Sequence, residues 1–218
     1  KLNKNVVVFP NAINPNEPQF KEPTLESDRL RVGWLGGSSH LHDLQLLDLV
    51  KTTQYKDKLQ YVLCGFDTRG KVTEIDSNTG QQRQRDIQPL ETVWYKYESI
   101  FTDKFTVLNP EHKTYLSTFT DGVYNDENEP YRRRWTQDIT TYANNYNMFD
   151  VSLAPLVVSD FNINKSQLKV IEAGFHKKAV IASETDPYLL DLVNAVDNGI
   201  FNKNGNALLV NPKRNHKD

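Results

Sequence analysis

Apolar residues in this chain follow two rhythms. Continuous runs at 30–36 (LRVGWLG), 59–65 (LQYVLCG) and 178–183 (KAVIAS) are rich in Val, Ile, Leu and aromatic residues and close on Gly or Ser. That is the pattern of strands buried on both faces. Between them, apolar positions recur at helical spacing: Leu44, Leu47 and Val50 within 43–53, and Trp94, Tyr97 and Phe101 within 92–105. The same spacing puts Trp135, Ile139 and Tyr142 on one side of a helix over 131–149, with Arg132, Arg133 and Arg134 as its solvated first turn. Further helices are expected over 165–175 and 186–196, and short strands over 6–9, 105–110, 150–156 and 207–210. A short helix is expected over 111–119 and a polar loop over 120–130. Residues 70–86 read as an inserted hairpin with a four-residue SNTG loop.

Strands alternating with helices predict an α/β fold, a doubly wound, Rossmann-like parallel sheet with helices on both faces. Ligands of such sheets bind at the carboxyl ends of the strands. Three places therefore matter: the turn at 36–43, the strand end at Cys64-Gly65 and the loop at 155–165. Residues 10–23, with three of their four prolines between 10 and 18, read as an extended linker. The expected organisation is a linker or edge segment over 1–23 and one domain over 24–218, as if cut from a longer chain.

Composition narrows the functional classes. At 218 residues the chain can bury a core without staples. The 26 basic and 28 acidic residues nearly cancel, which argues against a dedicated nucleic-acid binder. The one cysteine, Cys64, rules out an internal disulfide framework or multi-cysteine zinc site, and its place at the end of a buried strand predicts an inert thiol. No apolar run approaches the length of a membrane span.

Lys165, Lys169 and Glu172 stand at 0, +4 and +7 and would share one helical face. A cation at a helix start opposes the helix dipole, so an anionic ligand there would offset the conflict. The plainer reading is two solvated lysines, with Glu172 pairing Lys169 for about 0.2–0.5 kcal/mol. The small residues of Gly36-Gly37-Ser38-Ser39-His40 would let a backbone approach a pyrophosphate, but they match neither the dinucleotide fingerprint nor a Walker loop. His40 suits a cap or a phosphate contact better than a metal, since Asp43 is the only further local ligand besides His42.

Four stretches, VVVFPNAINP, RVGWLGGSSHLHDLQLL, YNMFDVSLAPL and FNINKSQLKVIEAGFHKKAVIAS, together resemble the C-terminal, donor-binding half of GT-B fold glycosyltransferases, in particular family 4, the group 1 transferases. The last is the most specific. The resemblance implies a retaining transferase that moves a sugar from a nucleotide sugar to a glycan or lipid-linked acceptor, with no cofactor and no obligatory metal. It implies that Glu172 holds the ribose hydroxyls and that Asn164 stands where the family usually has a second Glu. The Arg and Lys that usually follow the first strand are absent; Gly36 and His42 stand about where they would fall. The nucleotide-sugar site it implies comprises Gly36, Gly37, Ser38, His40, Asn164, Lys165, Ser166, Lys169 and Glu172. The face that the two lysines share with Glu172 adds the expectation that they supply the missing positive charge to the diphosphate. No catalytic residue is assigned in this chain, because the acceptor-binding N-terminal half is absent, and the fragment alone is expected to be inactive. A cytoplasmic enzyme of polysaccharide biosynthesis is implied, with room for peripheral association at the inner membrane face. Two rivals stand beside it: a sugar-nucleotide epimerase, for which the 155–165 loop offers only Asp160, and a catalytically silent nucleotide-binding or interaction module.

Overall fold

Strand β1 (Leu30–Leu35) is the axis of the fold, buried from Arg31 to Trp34 and paired in parallel on both edges. In this computed structural model, which describes residues 5, 7, 11–48, 55, 57–67, 69–101 and 131–212, the chain continues through helix α1 (Leu41–Leu44) and β2 (Leu59–Phe66). Next come β3 (Lys71–Ile75), β4 (Gln82–Asp86), α2 (Val93–Phe101), β5 (Tyr131–Trp135) and β6 (Val151–Ala154). Helix α3 (Leu168–Phe175), β7 (Ala179–Ser183), the small strands β8 (Val196–Asp197) and β9 (Ile200–Phe201), and β10 (Leu208–Val210) complete it. The strand expected over 6–9, apart from Val7, and all elements expected over 105–130 lie outside the described residues, as do the ends expected for the helices reaching 53 and 105.

Six strands form one sheet in the order β10-β7-β6-β1-β2-β5, with every pair parallel. Numbered along the chain, that is 6-5-4-1-2-3, the doubly wound Rossmann-like order. The order reverses between β1 and β6, so the crevice beyond their carboxyl ends is where such a sheet takes a ligand. Two buried clusters flank the sheet. One joins Val62, Tyr146, Phe149, Val180 and Leu209 to α3 through Val170 and Ala173. The other joins Trp34, Leu63 and Phe66 to α2 through Trp94, Tyr97 and Phe101, the residues whose spacing predicted that helix. At the opposite end, the buried Arg31 guanidinium meets Asp150 at 3.2 Å and ties the start of β1 to β6.

The 70–86 excursion is the expected hairpin: β3 and β4 pair antiparallel around Ser77–Gly80. Residues 11–25 form only one 3-10 turn, Pro18–Phe20, and lie against the domain. Gln19 there donates to Ile139 O and accepts from Ala143 N, while Leu25 N donates to Asn147 O. Among the described residues, no helix is long and apolar enough to cross a membrane.

Three expectations need correction. Residues 131–149 are not a helix but strand β5, a loop and a 3-10 run over Tyr142–Met148. Thr and Asn crowd this stretch, and their side chains compete for backbone partners. Arg133 is not solvated: it is fully buried, its Nε 3.0 Å from Glu98 Oε1 and its guanidinium 4.4 Å over the Phe66 ring. The helix expected over 186–196 is a single 3-10 turn, Tyr188–Leu190, followed by the β8–β9 hairpin. Asparagine side chains redirect the backbone there: Asn206 accepts from Val193 N and donates to Asp191 O, and Asn194 accepts from Leu209 N. Finally, α3 begins at Leu168, so Lys165 precedes it with extended backbone.

Removing one member of a buried ion pair strands the other charge, a loss of about 3–5 kcal/mol. R133M is therefore expected to lower unfolding free energy by that order in urea titrations, and R133M/E98L to recover most of it.

Candidate functional site

The crevice opens on a turn whose first residue, Gly36, leaves no room for a side chain. Gly36 N donates to Cys64 O at 3.2 Å, and a Cβ on Gly36 would lie 2.4 Å from the Trp34 ring and 2.9 Å from Lys169 Nζ. Gly65, at the bulge of β2, holds φ at +101°, and a Cβ there would lie 2.1 Å from Gly36 O. The first two strands thus end in bare backbone.

From the other half of the fold, α3 sends Lys169 and Glu172 into the same space. Lys169 donates to Leu35 O, the last carbonyl of β1, and its ammonium lies 4.8 Å over the Trp34 ring. Among the described residues it has no carboxylate within ion-pair distance. Burial holds its pKa down to about 8, against the raising influence of Glu172 and Asp43. Glu172 is buried, and each of its carboxylate oxygens accepts a tyrosine hydroxyl: Oε1 from Tyr142 and Oε2 from Tyr146 at 3.1 Å. Burial pushes the carboxyl pKa up despite those two hydrogen bonds and Lys169. The expected Glu172–Lys169 pair is thus replaced by separate partners.

Lys169 and Glu172 share a cavity of about 410 Å³ with Gly36, Gly37, Gly65 and Asn145. Asn145 is fully buried; its amide nitrogen donates to Tyr142 O, and its oxygen has no donor among the described residues. A contiguous cavity of about 190 Å³, meeting the first at Leu168 and Lys169, is lined by His40, Pro155, Lys165 and Ser166. Asp43 anchors this end. Its buried carboxylate accepts from His40 Nδ1 at 2.9 Å, from Val157 N at 2.9 Å and from Asn162 Nδ2 at 3.0 Å, with Lys165 Nζ at 3.8 Å. Burial would raise the Asp43 pKa, but His40, Val157 N and Lys165 together hold it below the usual value. The ends of β1, β2 and β6 meet here, so the three places marked in the sequence converge.

Of the residues expected at the site, Gly36, Gly37, His40, Lys165, Ser166, Lys169 and Glu172 line these two cavities. Ser38 instead lines a polar cavity of about 380 Å³ beyond Gly65, with Asp67, Arg69 and Glu91. Asn164 lines neither; it is exposed and donates to Asp160 O at 2.6 Å. His42 is exposed and parts from His40. Among the described residues no three His, Cys, Asp or Glu side chains gather where they could hold a metal. Cys64 is buried, and burial pushes its thiol up to about 12, as suits an inert position. Sequence reasoning missed Tyr142, Asn145 and Tyr146; their only signal is the YANNY spacing, which puts the tyrosines four apart. A larger apolar groove of about 430 Å³, lined by residues such as Val32, Tyr61 and Ile181, has no charged side chain among the described residues that line it.

No family model and no curated protein matches the chain. Solved structures to which it is similar include the following two. One is an OtsA apo structure, at 12% identity and TM-score 0.45; the other is described as trehalose-6-phosphate from E. coli bound with UDP-2-fluoro glucose, at 14% and 0.46. Each match covers 92% of this chain, which spans 39% of the length of each of those chains.

The half-buried Lys169 ammonium has a carbonyl and a ring for company among the described residues, a place where an anion would offset its desolvation. That desolvation also opposes folding. With its pKa at about 8 against an ordinary 10.5, the unfolded chain holds this proton more tightly, so the lysine's own contribution to stability should rise as pH climbs between those values. K169M is expected to abolish that rise and to raise the urea midpoint at neutral pH, while weakening anion binding. Urea titrations at about pH 7 and about pH 10 check this; a midpoint lowered at both would contradict it.

Proposed function

We propose that this chain is the donor-binding half of a GT-B glycosyltransferase and that the crevice takes a nucleotide sugar. One observation carries the reading: the Gly36-Gly37 turn and the Lys169–Glu172 pair, which the sequence resemblance assigns to one donor site, line a single cavity at the point where strand order reverses. The diphosphate lies between the bare Gly36-Gly37 backbone and the start of α3, facing Lys169 and Lys165. Glu172 accepts the ribose hydroxyls on the lone pairs that its tyrosines leave open. The base takes the end of the cavity formed by Gly65, Thr136 and Ile139, and the diphosphate reaches toward Lys165 and His40 with the sugar beyond it.

The chemistry follows from charge. When the glycosidic bond breaks, negative charge grows on the departing diphosphate. Two lysines and backbone N–H groups fixed beforehand in a partly dry site stabilise it more than water does. The reading calls on no metal ion. Retention of configuration, membership of family 4 and a glycan or lipid-linked acceptor belong to the same proposal, with the acceptor on a second half that this chain does not supply. The 218 residues alone then bind donor without turnover.

Calorimetric titration of the chain with UDP-glucose, ADP-glucose, GDP-mannose and dTDP-glucose tests it. One nucleotide class should bind. E172Q exchanges charged hydrogen bonds for neutral ones and should weaken that binding about tenfold or more. Failure of all four to bind, or binding indifferent to E172Q, would overturn the reading.

A further inference from the structure

The smaller cavity contains a carboxylate–imidazole pair that donor binding alone does not explain. His40 Nδ1 faces Asp43 Oδ2 at 2.9 Å, and the other oxygen of the buried Asp43 accepts from two groups that can only donate, Val157 N and Asn162 Nδ2. The proton therefore sits on Nδ1, and Nε2 is the ring nitrogen left for the cavity that His40 lines with Lys165, Ser166 and Lys169. The ring is fixed. His40 N donates to the Tyr97 hydroxyl at 2.8 Å, and the imidazole packs edge-on against Trp34 with centroids 5.9 Å apart.

We propose that His40 makes donor binding proton-linked: it takes up a proton as the diphosphate enters and donates from Nε2 to a phosphoryl oxygen, with Asp43 as its positioning residue. This rests on the nucleotide-sugar reading of the same crevice. The charges around the ring give the direction. Asp43 from α1 stands at Nδ1 of the ring, and Lys165 from the loop before α3 and Lys169 from α3 share the cavity that Nε2 faces, where two cations oppose a third. Tyr97 from α2 and Tyr188 from the turn after β7 are the remaining titratable neighbours, and burial pushes both of their pKa values up, so both stay neutral across this range. A diphosphate brings two negative charges between the lysines and the ring, cancels their opposition and leaves Asp43 and the ligand acting together. The H-x-x-D spacing of His40 and Asp43 thereby gains a chemical reason: one turn of α1 sets the carboxylate behind the ring while the same carboxylate pins Val157 and Asn162 of the facing loop.

The test uses the 218-residue chain and whichever of UDP-glucose, ADP-glucose, GDP-mannose and dTDP-glucose binds tightest. The diphosphate diester of these probes does not itself titrate near neutrality. Affinity is measured from about pH 5.5 to about pH 9, and protons taken up at neutral pH are counted from binding heats in buffers of different ionisation enthalpy. Wild-type affinity should fall with rising pH through the range where imidazoles titrate, by up to about tenfold per pH unit, with fractional proton uptake. H40Q keeps a donor near the position of Nε2 but cannot titrate. Its affinity should be lower and level until Lys169 begins to lose its proton near pH 8, with no uptake at neutral pH. A merely structural role for His40 would lower melting temperature and affinity without changing the proton count. Superimposed pH profiles for the two proteins overturn the proposal while leaving the nucleotide-sugar reading intact. If H40Q does not fold, a wild-type profile that is level below about pH 8 overturns it just as well. Failure of every probe to bind wild type overturns both.

Discussion

Lys169 reaches from the first turn of α3 across the reversal in strand order to the last carbonyl of β1, with the Trp34 ring beneath its ammonium. Much of the crevice is arranged around that reach. Gly36 has no side chain because the lysine and the indole occupy the space. Gly65 has none because the Gly36 carbonyl lies against it. Trp34 is held edge-on by Tyr97 of α2, so the lysine's platform is part of one of the two cores. A charge partly withdrawn from water, with no carboxylate at ion-pair distance among the described residues, works against folding, and the fold keeps it at the place where a parallel sheet of this order receives a ligand.

Much of the fold was legible because its determinants are local. The runs at β1, β2 and β7 announce buried strands, the SNTG loop announces its hairpin, and Trp94, Tyr97 and Phe101 announce the buried face of α2. What was not legible depends on partners distant in sequence. YRRRW makes a poor buried strand until Glu98 of α2 is placed against Arg133, and nothing near Arg133 signals that carboxylate. The stretch 186–196 has helical spacing but loses its helix to Asn206, whose amide binds Val193 N and Asp191 O, backbone that the helix would need. Local pattern proposes an element, and polar side chains from elsewhere decide whether it stands.

The site was legible to a similar degree. The spacing of Lys165, Lys169 and Glu172 marked the right segment, although Lys165 arrives from an extended loop and not from the helix face. The tyrosines that grip Glu172 come from a 3-10 run mistaken for part of a long helix. Asn164, placed in the site by resemblance alone, turns to Asp160 instead. The His40–Asp43 spacing was visible, but the loop that Asp43 pins, through Val157 and Asn162, was not. Spacing reports which residues share an element; it is silent on what faces them across a crevice.

On the proposed reading, the two halves of the sheet close on one anionic ligand between the Gly36-Gly37 turn and the start of α3. Amide NMR spectra of the chain recorded during titration with UDP-glucose, ADP-glucose, GDP-mannose and dTDP-glucose test it most directly. One of them should shift the amides of Gly36, Gly37 and Ser166–Lys169 together, along a single binding curve. Shifts confined to one side of the crevice, or gathered instead around the apolar groove at Val32, Tyr61 and Ile181, would contradict it.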